Sequence, residues 1–167
     1  MCDWQVKMGD RQFTTTIGGT IDRLDAVDCD TAKERIRVVD YKTGGSQMKM
    51  AKDVDDIFAD NDSHRGYYLQ TLLYGNIVAT DSSVNPHQSP VSPALLFIQH
   101  AASDDYDPTL CFGKEPISDI LPYLEDFNSH LKTVIDEIFN PEVDFTPSPD
   151  GKSCSNCPYT KLCGKIS

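Results

Sequence analysis

The chain has 167 residues, of which 39% are hydrophobic and 25% charged, enough for one domain with its own core and too few for two comfortable ones. No apolar run approaches the ~20 residues that span a bilayer, and the N-terminus, Met-Cys-Asp-Trp-Gln-Val-Lys, lacks an apolar signal core; a cytoplasmic protein without a membrane partner is expected. A net charge of −11 argues against a free-standing nucleic-acid binder, which would show a basic stripe, so metal ions or a neighbouring domain must supply the attraction if the chain handles DNA.

Residues 4–8 (WQVKM) and 11–17 (RQFTTTI) read as strands about a Gly9-Asp10 turn. Residues 19–28 continue as a strand or bulged strand, 28–35 (DCDTAKER) as a polar turn, and 36–41 (IRVVDY) as a β-branched strand. Residues 19–41 thus resemble an antiparallel hairpin, ended by Gly44-Gly45. Residues 46–63 are polar and predict a loop with a short helical piece; the acids of Asp53–Asp62 and Asp104–Asp107 read as solvated surface. Residues 65–79 predict a helix with positions 68, 69, 72, 73 and 77 on one apolar face. Three prolines and four serines mark 80–93 as an exposed linker loop. Residues 94–99 (ALLFIQ) read as a central strand and 109–113 (TLCFG) as another. Residues 117–139 carry apolar side chains at 117, 120, 121, 124, 127, 131, 134, 135 and 138, the rhythm of one long helix. Pro122 falls in or near its first turn, and Asn140-Pro141 stops it. The order of strands, helix, strands, helix and cysteine tail predicts a single α/β domain of the mixed α+β kind, not a doubly wound one. Its core spans 1–150 and a cysteine-rich segment follows at 151–167. No phosphate-binding glycine loop is present.

Three residues carry the chemistry. Asp40 and Lys42 are i and i+2 on one strand, so their side chains share a face ~6.6 Å apart, and Asp22 stands near the start of the preceding strand. Two carboxylates and substrate oxygens suffice for Mg²⁺, with the backbone carbonyl of Tyr41 as a further ligand. A lysine beside them can steer or deprotonate water, or stabilise developing charge. Asp40-x-Lys42 alone is more often an ordinary surface pair; an acid inside a β-branched strand needs a partner, and a metal is one. Gln70 and Tyr74 are i and i+4 on the next helix, with Tyr67 close to the same face. They either face a phosphate and order the lysine, or pack aromatics on the sheet while Gln70 bonds a backbone group. Cys154, Cys157 and Cys163 form C-x2-C-x5-C, a pattern for an iron–sulfur or structural zinc site. The fourth ligand is Cys2, Cys29 or Cys111, with Cys2 preferred. His64, His87, His100 and His130 lack ligand spacing and read as structural.

Together Gly19-x-Ile-Asp22-Arg23, Asp40-Tyr-Lys42-Thr-Gly44, Gln70-x3-Tyr74 and the terminal cysteines resemble the RecB-like branch of the PD-(D/E)XK nuclease superfamily, and within it AddB-type nuclease domains with an iron–sulfur cluster. The resemblance runs over residues 13 to 163. It implies a restriction-endonuclease-like core, a central mixed sheet flanked by helices, and Mg²⁺- or Mn²⁺-dependent DNA cleavage, often from ends. It implies Asp22 and Asp40 as metal ligands, Lys42 as the catalytic lysine, and Gln70 and Tyr74 as the helix motif facing the site. Cys154, Cys157 and Cys163 become three ligands of a [4Fe–4S] cluster, with zinc as the alternative. The family's opening helix, which completes the metal site, and its first cluster cysteine have no counterpart, so the chain reads as the C-terminal portion of a longer protein, a helicase–nuclease subunit. The partners implied are DNA, single-stranded or as duplex ends, and a helicase domain. The alternative is a catalytically incomplete nuclease fold that binds DNA or a partner subunit, and a third reading is a zinc-bound interaction module.

Overall fold

A computed structural model describes residues 1–27, 34–44, 49–59, 65–103, 105–146, 154–155 and 157–164. Residues 28–33 of the polar turn expected over 28–35, with Cys29, and Gly45, His64 and Asp104 lie outside the described residues. Strands β1 (Cys2–Met8) and β2 (Arg11–Ile17) pair antiparallel with Val6 opposite Phe13. Gly9, at φ +60, supplies the left-handed turn residue between them. The apolar face of this hairpin turns inward: Val6 is fully buried, and the Phe13 ring meets Phe139 edge-on at 5.2 Å.

Strands β3 (Arg23–Val27) and β4 (Arg35–Lys42) pair antiparallel, and β5 (Val91–Phe97) pairs parallel to β4, giving a mixed sheet in the order β3-β4-β5. The mixed α+β expectation is met. The outer edge of β5 is also hydrogen-bonded, since Leu95 N–H donates to Pro108 O at 2.8 Å and Leu110 N–H to Pro93 O at 2.9 Å. β5 is therefore interior in its hydrogen bonding. It begins at Val91 instead of 94 and takes in Pro93. The proline costs no bond to β4, because its carbonyl points to Leu110 and its missing N–H would face the same edge. The preceding loop is less exposed than its composition suggests. Asn85 is buried, and its side chain accepts from Ser89 N at 2.8 Å and donates to Ser89 O at 2.9 Å. β6 (Cys111–Phe112) and β7 (Glu115–Pro116) form a small hairpin beyond.

Helix α1 (Val54–Phe58) starts at Asp53, whose carboxylate accepts from Asp56 N at 2.8 Å. Asp56 accepts from Lys52 N at 2.9 Å and pairs with the buried Arg65 at 2.8 Å. Asp53 and Asp56 thus have structural partners, while Asp53 and Asp55 are exposed, as the density of acids suggested. Helix α2 (Arg65–Thr80) lies on β4 and β5, but its buried residues include Tyr68, Thr71, Leu72, Tyr74, Gly75, Asn76 and Val78, while Leu69, Leu73 and Ile77 are only half-buried. The polar Thr71 and Asn76 are satisfied: Thr71 Oγ1 donates to Tyr67 O at 2.8 Å, and Asn76 donates to Asn128 at 2.7 Å.

The helix expected over 117–139 is shorter. A 3₁₀ turn at Leu121–Tyr123 containing Pro122 leads into α3 (Leu124–Ile138). Residues 117–120 stay out of the helix because their amides serve strands: Ile117 N–H donates to Leu110 O and Ile120 N–H to Val91 O, each at 2.8 Å. Leu124, Phe127, Leu131 and Ile135 are buried, whereas Leu121, Val134 and Ile138 are exposed.

Candidate active site

The alternation of β4 puts Val38, Asp40 and Lys42 on the face that α2 covers, and Arg37, Val39 and Tyr41 on the other. In the β3–β4 register Arg23 lies opposite Val39, and one further step brings Asp22 opposite Asp40. Directly opposed residues have Cβ atoms ~4.5–5.5 Å apart. Asp22 Oδ2 accepts from Tyr41 N at 2.8 Å. The N–H and C=O of one strand residue point to the same side, so the Tyr41 carbonyl also faces Asp22, beyond the last β3–β4 rung. The Asp22 carboxylate and the Tyr41 carbonyl thus stand where the ladder ends, next along the strand from Asp40. Asp40 is 4% exposed, whereas Asp22 is exposed rather than half-buried.

Lys42 Nζ stands 2.5 Å from Asp40 Oδ2. The contact is a buried ion pair, and the ammonium is the partner of the Asp40 oxygen. The ammonium is fixed from two more directions. It donates to Gln70 Oε1 at 3.0 Å and lies 4.5 Å from the centre of the Tyr67 ring, where the negative π face attracts a cation. Gln70 Nε2 donates to the Tyr74 hydroxyl at 3.1 Å. The expectation that Gln70 and Tyr74 share a face is met, and Gln70 bonds the lysine instead of a backbone group.

Two residues of the Gly19-x-Ile-Asp22-Arg23 motif, Gly19 and Arg23, gain a role only in the structure. Gly19 leaves room for Tyr74, since a Cβ there would overlap the Tyr74 hydroxyl. Arg23 lies on the sheet's other face, within 2.5 Å of Asp25. Hydrogen bonds from the guanidinium to the Tyr41 hydroxyl, and then to Asp25, push its pKa further up. The signal for Gly19 was its place three residues before Asp22; for Arg23 only its adjacency to Asp22 pointed here.

The donor set fits a hard divalent cation. Among the described residues Asp40 has only the Lys42 ammonium on Oδ2, Asp22 commits only one oxygen, and the Tyr41 carbonyl faces Asp22. All are oxygen donors, the chemistry Mg²⁺ takes. Among the described residues no three His, Cys, Asp or Glu side chains converge on a metal position, so a cation at this edge would complete its shell with backbone and substrate oxygens.

That limit also covers the cysteines. Cys154 and Cys157 share a turn, with Cys157 N–H donating to Cys154 O at 3.2 Å, and Cys163 N–H donates to Tyr159 O at 3.0 Å. Cys2 stands in β1 and Cys111 in β6, and burial pushes both thiols up. His130 is structural as expected, bonded to Asp55 at 2.7 Å and stacked on Phe58.

The family model of the PD-(D/E)XK nuclease superfamily matches residues 3–164. The chain belongs to the PD-(D/E)XK nuclease superfamily. The mixed sheet with its helices is the restriction-endonuclease-like fold of this superfamily, whose members are generally nucleases and typically use divalent metals such as Mg²⁺. No curated protein and no solved structure matches the chain. No helix among the described residues is long and apolar enough to cross a membrane.

Proposed function

We propose that the chain is a Mg²⁺- or Mn²⁺-dependent deoxyribonuclease domain, acting from DNA ends within a larger cytoplasmic helicase–nuclease of recombination or repair. The observation that carries this reading is the held lysine. Lys42 is fixed by Gln70 and Tyr67 beside the buried Asp40, its ion-pair partner. A purely structural pair would not need a second residue to aim the lysine.

In this reading Asp22, Asp40 and the Tyr41 carbonyl hold the cation, which when bound lowers the pKa of its water and neutralises phosphate charge. Lys42 presents its ammonium to the scissile phosphate, orienting the attacking water or stabilising charge as it develops on oxygen. Gln70 fixes the direction of that ammonium, and Tyr74 fixes Gln70. Asp40 is the lysine's counter-ion until substrate arrives. The net charge of −11 supports a DNA track supplied by an adjoining helicase. For the segment 151–167 we favour a [4Fe–4S] cluster with Cys154, Cys157 and Cys163 as ligands, on the strength of the C-x2-C-x5-C spacing; zinc is the alternative.

The test is cleavage of end-labelled single-stranded and duplex DNA with Mg²⁺, Mn²⁺ or a chelator. Cleavage that appears with metal and stops with chelator agrees with the proposal; cleavage unaffected by chelation contradicts it. Metal analysis and visible absorption of anaerobically purified protein decide the tail. A colourless, zinc-containing sample would remove the cluster.

A further inference from the structure

Beside the candidate site the described residues line an open cavity of ≈ 470 Å³, within the ~300–1,000 Å³ of small-ligand pockets. Leu95, Phe97, Tyr68, Tyr106, Asp107 and His100 are among its walls. The parallel register sets Leu95 beside Asp40 and Phe97 beside Lys42, on one face of the sheet. The Phe97 ring meets Tyr67 at 6.4 Å, and Tyr67 lies 4.5 Å from Lys42 Nζ. The cavity thus begins one aromatic ring beyond the ammonium.

Its chemistry selects an occupant. The Tyr106 ring is immobilised, because its hydroxyl accepts from Phe97 N at 2.9 Å and donates to Leu95 O at 2.8 Å. His100 adds a second ring 6.1 Å away, at 42° to the first. Aromatic rings are stacking surfaces for bases. Asp107 is the acidic wall residue. Burial pushes its carboxyl up, but hydrogen bonds from Thr109 and the nearby Arg37 and Arg35 outweigh that and hold it below the usual range. An ionised carboxylate accepts only. It repels a phosphate and welcomes the amino or imino N–H of a base edge, as carboxylates do with cytosine N4.

We infer that this cavity takes one nucleobase of the strand whose phosphate lies at Lys42, unstacked from its neighbours, with its ring against Tyr106 and His100 and an N–H on Asp107. The inference rests on the nuclease reading for the placement of the strand. A base held there fixes the register of the strand over Lys42 and favours unpaired nucleotides, because a paired base must first be unpaired and unstacked to enter the cavity.

The test uses single-stranded DNA with 2-aminopurine at successive positions, bound to the protein with Ca²⁺ in place of Mg²⁺. One position is expected to change fluorescence while its neighbours do not, and an abasic nucleotide at that position should weaken binding about ten-fold, as loss of one stacked base does. His100→Ala, at an exposed residue, and Thr109→Trp, which fills the cavity, should each abolish the positional response; if the tryptophan variant misfolds, His100→Ala decides. Equal responses at all positions, or a positional response unchanged by His100→Ala, would overturn the inference. Failure of the nuclease reading is seen separately. Loss of metal-dependent cleavage with a positional response leaves the base pocket standing, and cleavage with a uniform response removes the pocket alone.

Discussion

Gly19→Ala tests the chain of contacts that aims the lysine, without touching any charged group. A methyl at 19 would overlap the Tyr74 hydroxyl and stand 3.0 Å from its Cε1 and 3.1 Å from its Cζ. Ordinary carbon contacts lie at ~3.5–4.0 Å, so the ring must retreat by about 0.5–1 Å. It cannot swing freely, because Tyr74 is 7% exposed. Overpacking of this kind costs ~1–3 kcal/mol. At ~2–4 °C per kcal/mol for a chain of this size, melting should fall by about 2–12 °C. The displaced hydroxyl releases Gln70, and Gln70 releases Lys42. A misplacement near 1 Å can cost ~10²-fold in rate, so cleavage should slow by about 10- to 100-fold. The double variant Gly19→Ala/Tyr74→Phe removes the overlapping oxygen; it should regain part of the melting temperature and little of the rate. Single-turnover cleavage and calorimetry read the two effects. A Gly19→Ala protein with unchanged melting and unchanged rate would refute the coupling from Gly19 to Lys42.

Asn128→Ala should destabilise the chain by ~1–3 kcal/mol in urea titration, because it leaves the buried Asn76 amide unpaired, and should leave the cleavage rate unchanged. Asp53→Ala removes the cap of α1 and should cost ~1 kcal/mol, with amide exchange rising first in α1. The Asp56 carboxyl is held below the usual range, mainly by the Lys52 amide and also by Arg65, against the opposing effect of burial. Its stabilisation is therefore complete above the ordinary carboxylate value and lost as pH falls through the lowered one; Asp56→Asn should lower the urea midpoint at pH 7 and flatten its fall towards pH 3.

The β1–β2 turn, the β3–β4 hairpin and the extent of α2 were legible because turn glycines and β-branched or helical patterns are local. The start of α3 was not. An apolar rhythm of 3.6 runs through 117–120, but Leu110 and Val91 take their amides, and a partner distant in sequence leaves no local signal. The buried stripe of α2 was misjudged for a related reason. Thr71 and Asn76 are admitted to the core by Tyr67 O and by Asn128, the latter on another helix. Within the site, Asp40, Lys42, Gln70 and Tyr74 were readable from strand and helix spacing, and the structure brings them together. The role of Gly19 depends on a close approach from α2, visible only in three dimensions.

The most direct measurement is single-turnover DNA cleavage with saturating Mg²⁺ by the full-length protein that carries this domain, as wild type and as Asp40→Ala and Lys42→Ala, with circular dichroism to confirm folding. Breaking a buried ion pair costs ~3–5 kcal/mol, so the comparison belongs at a temperature where all three proteins remain folded. The account predicts metal-dependent cleavage by the wild type and its loss in both variants; wild-type rates in folded Asp40→Ala and Lys42→Ala proteins would contradict it.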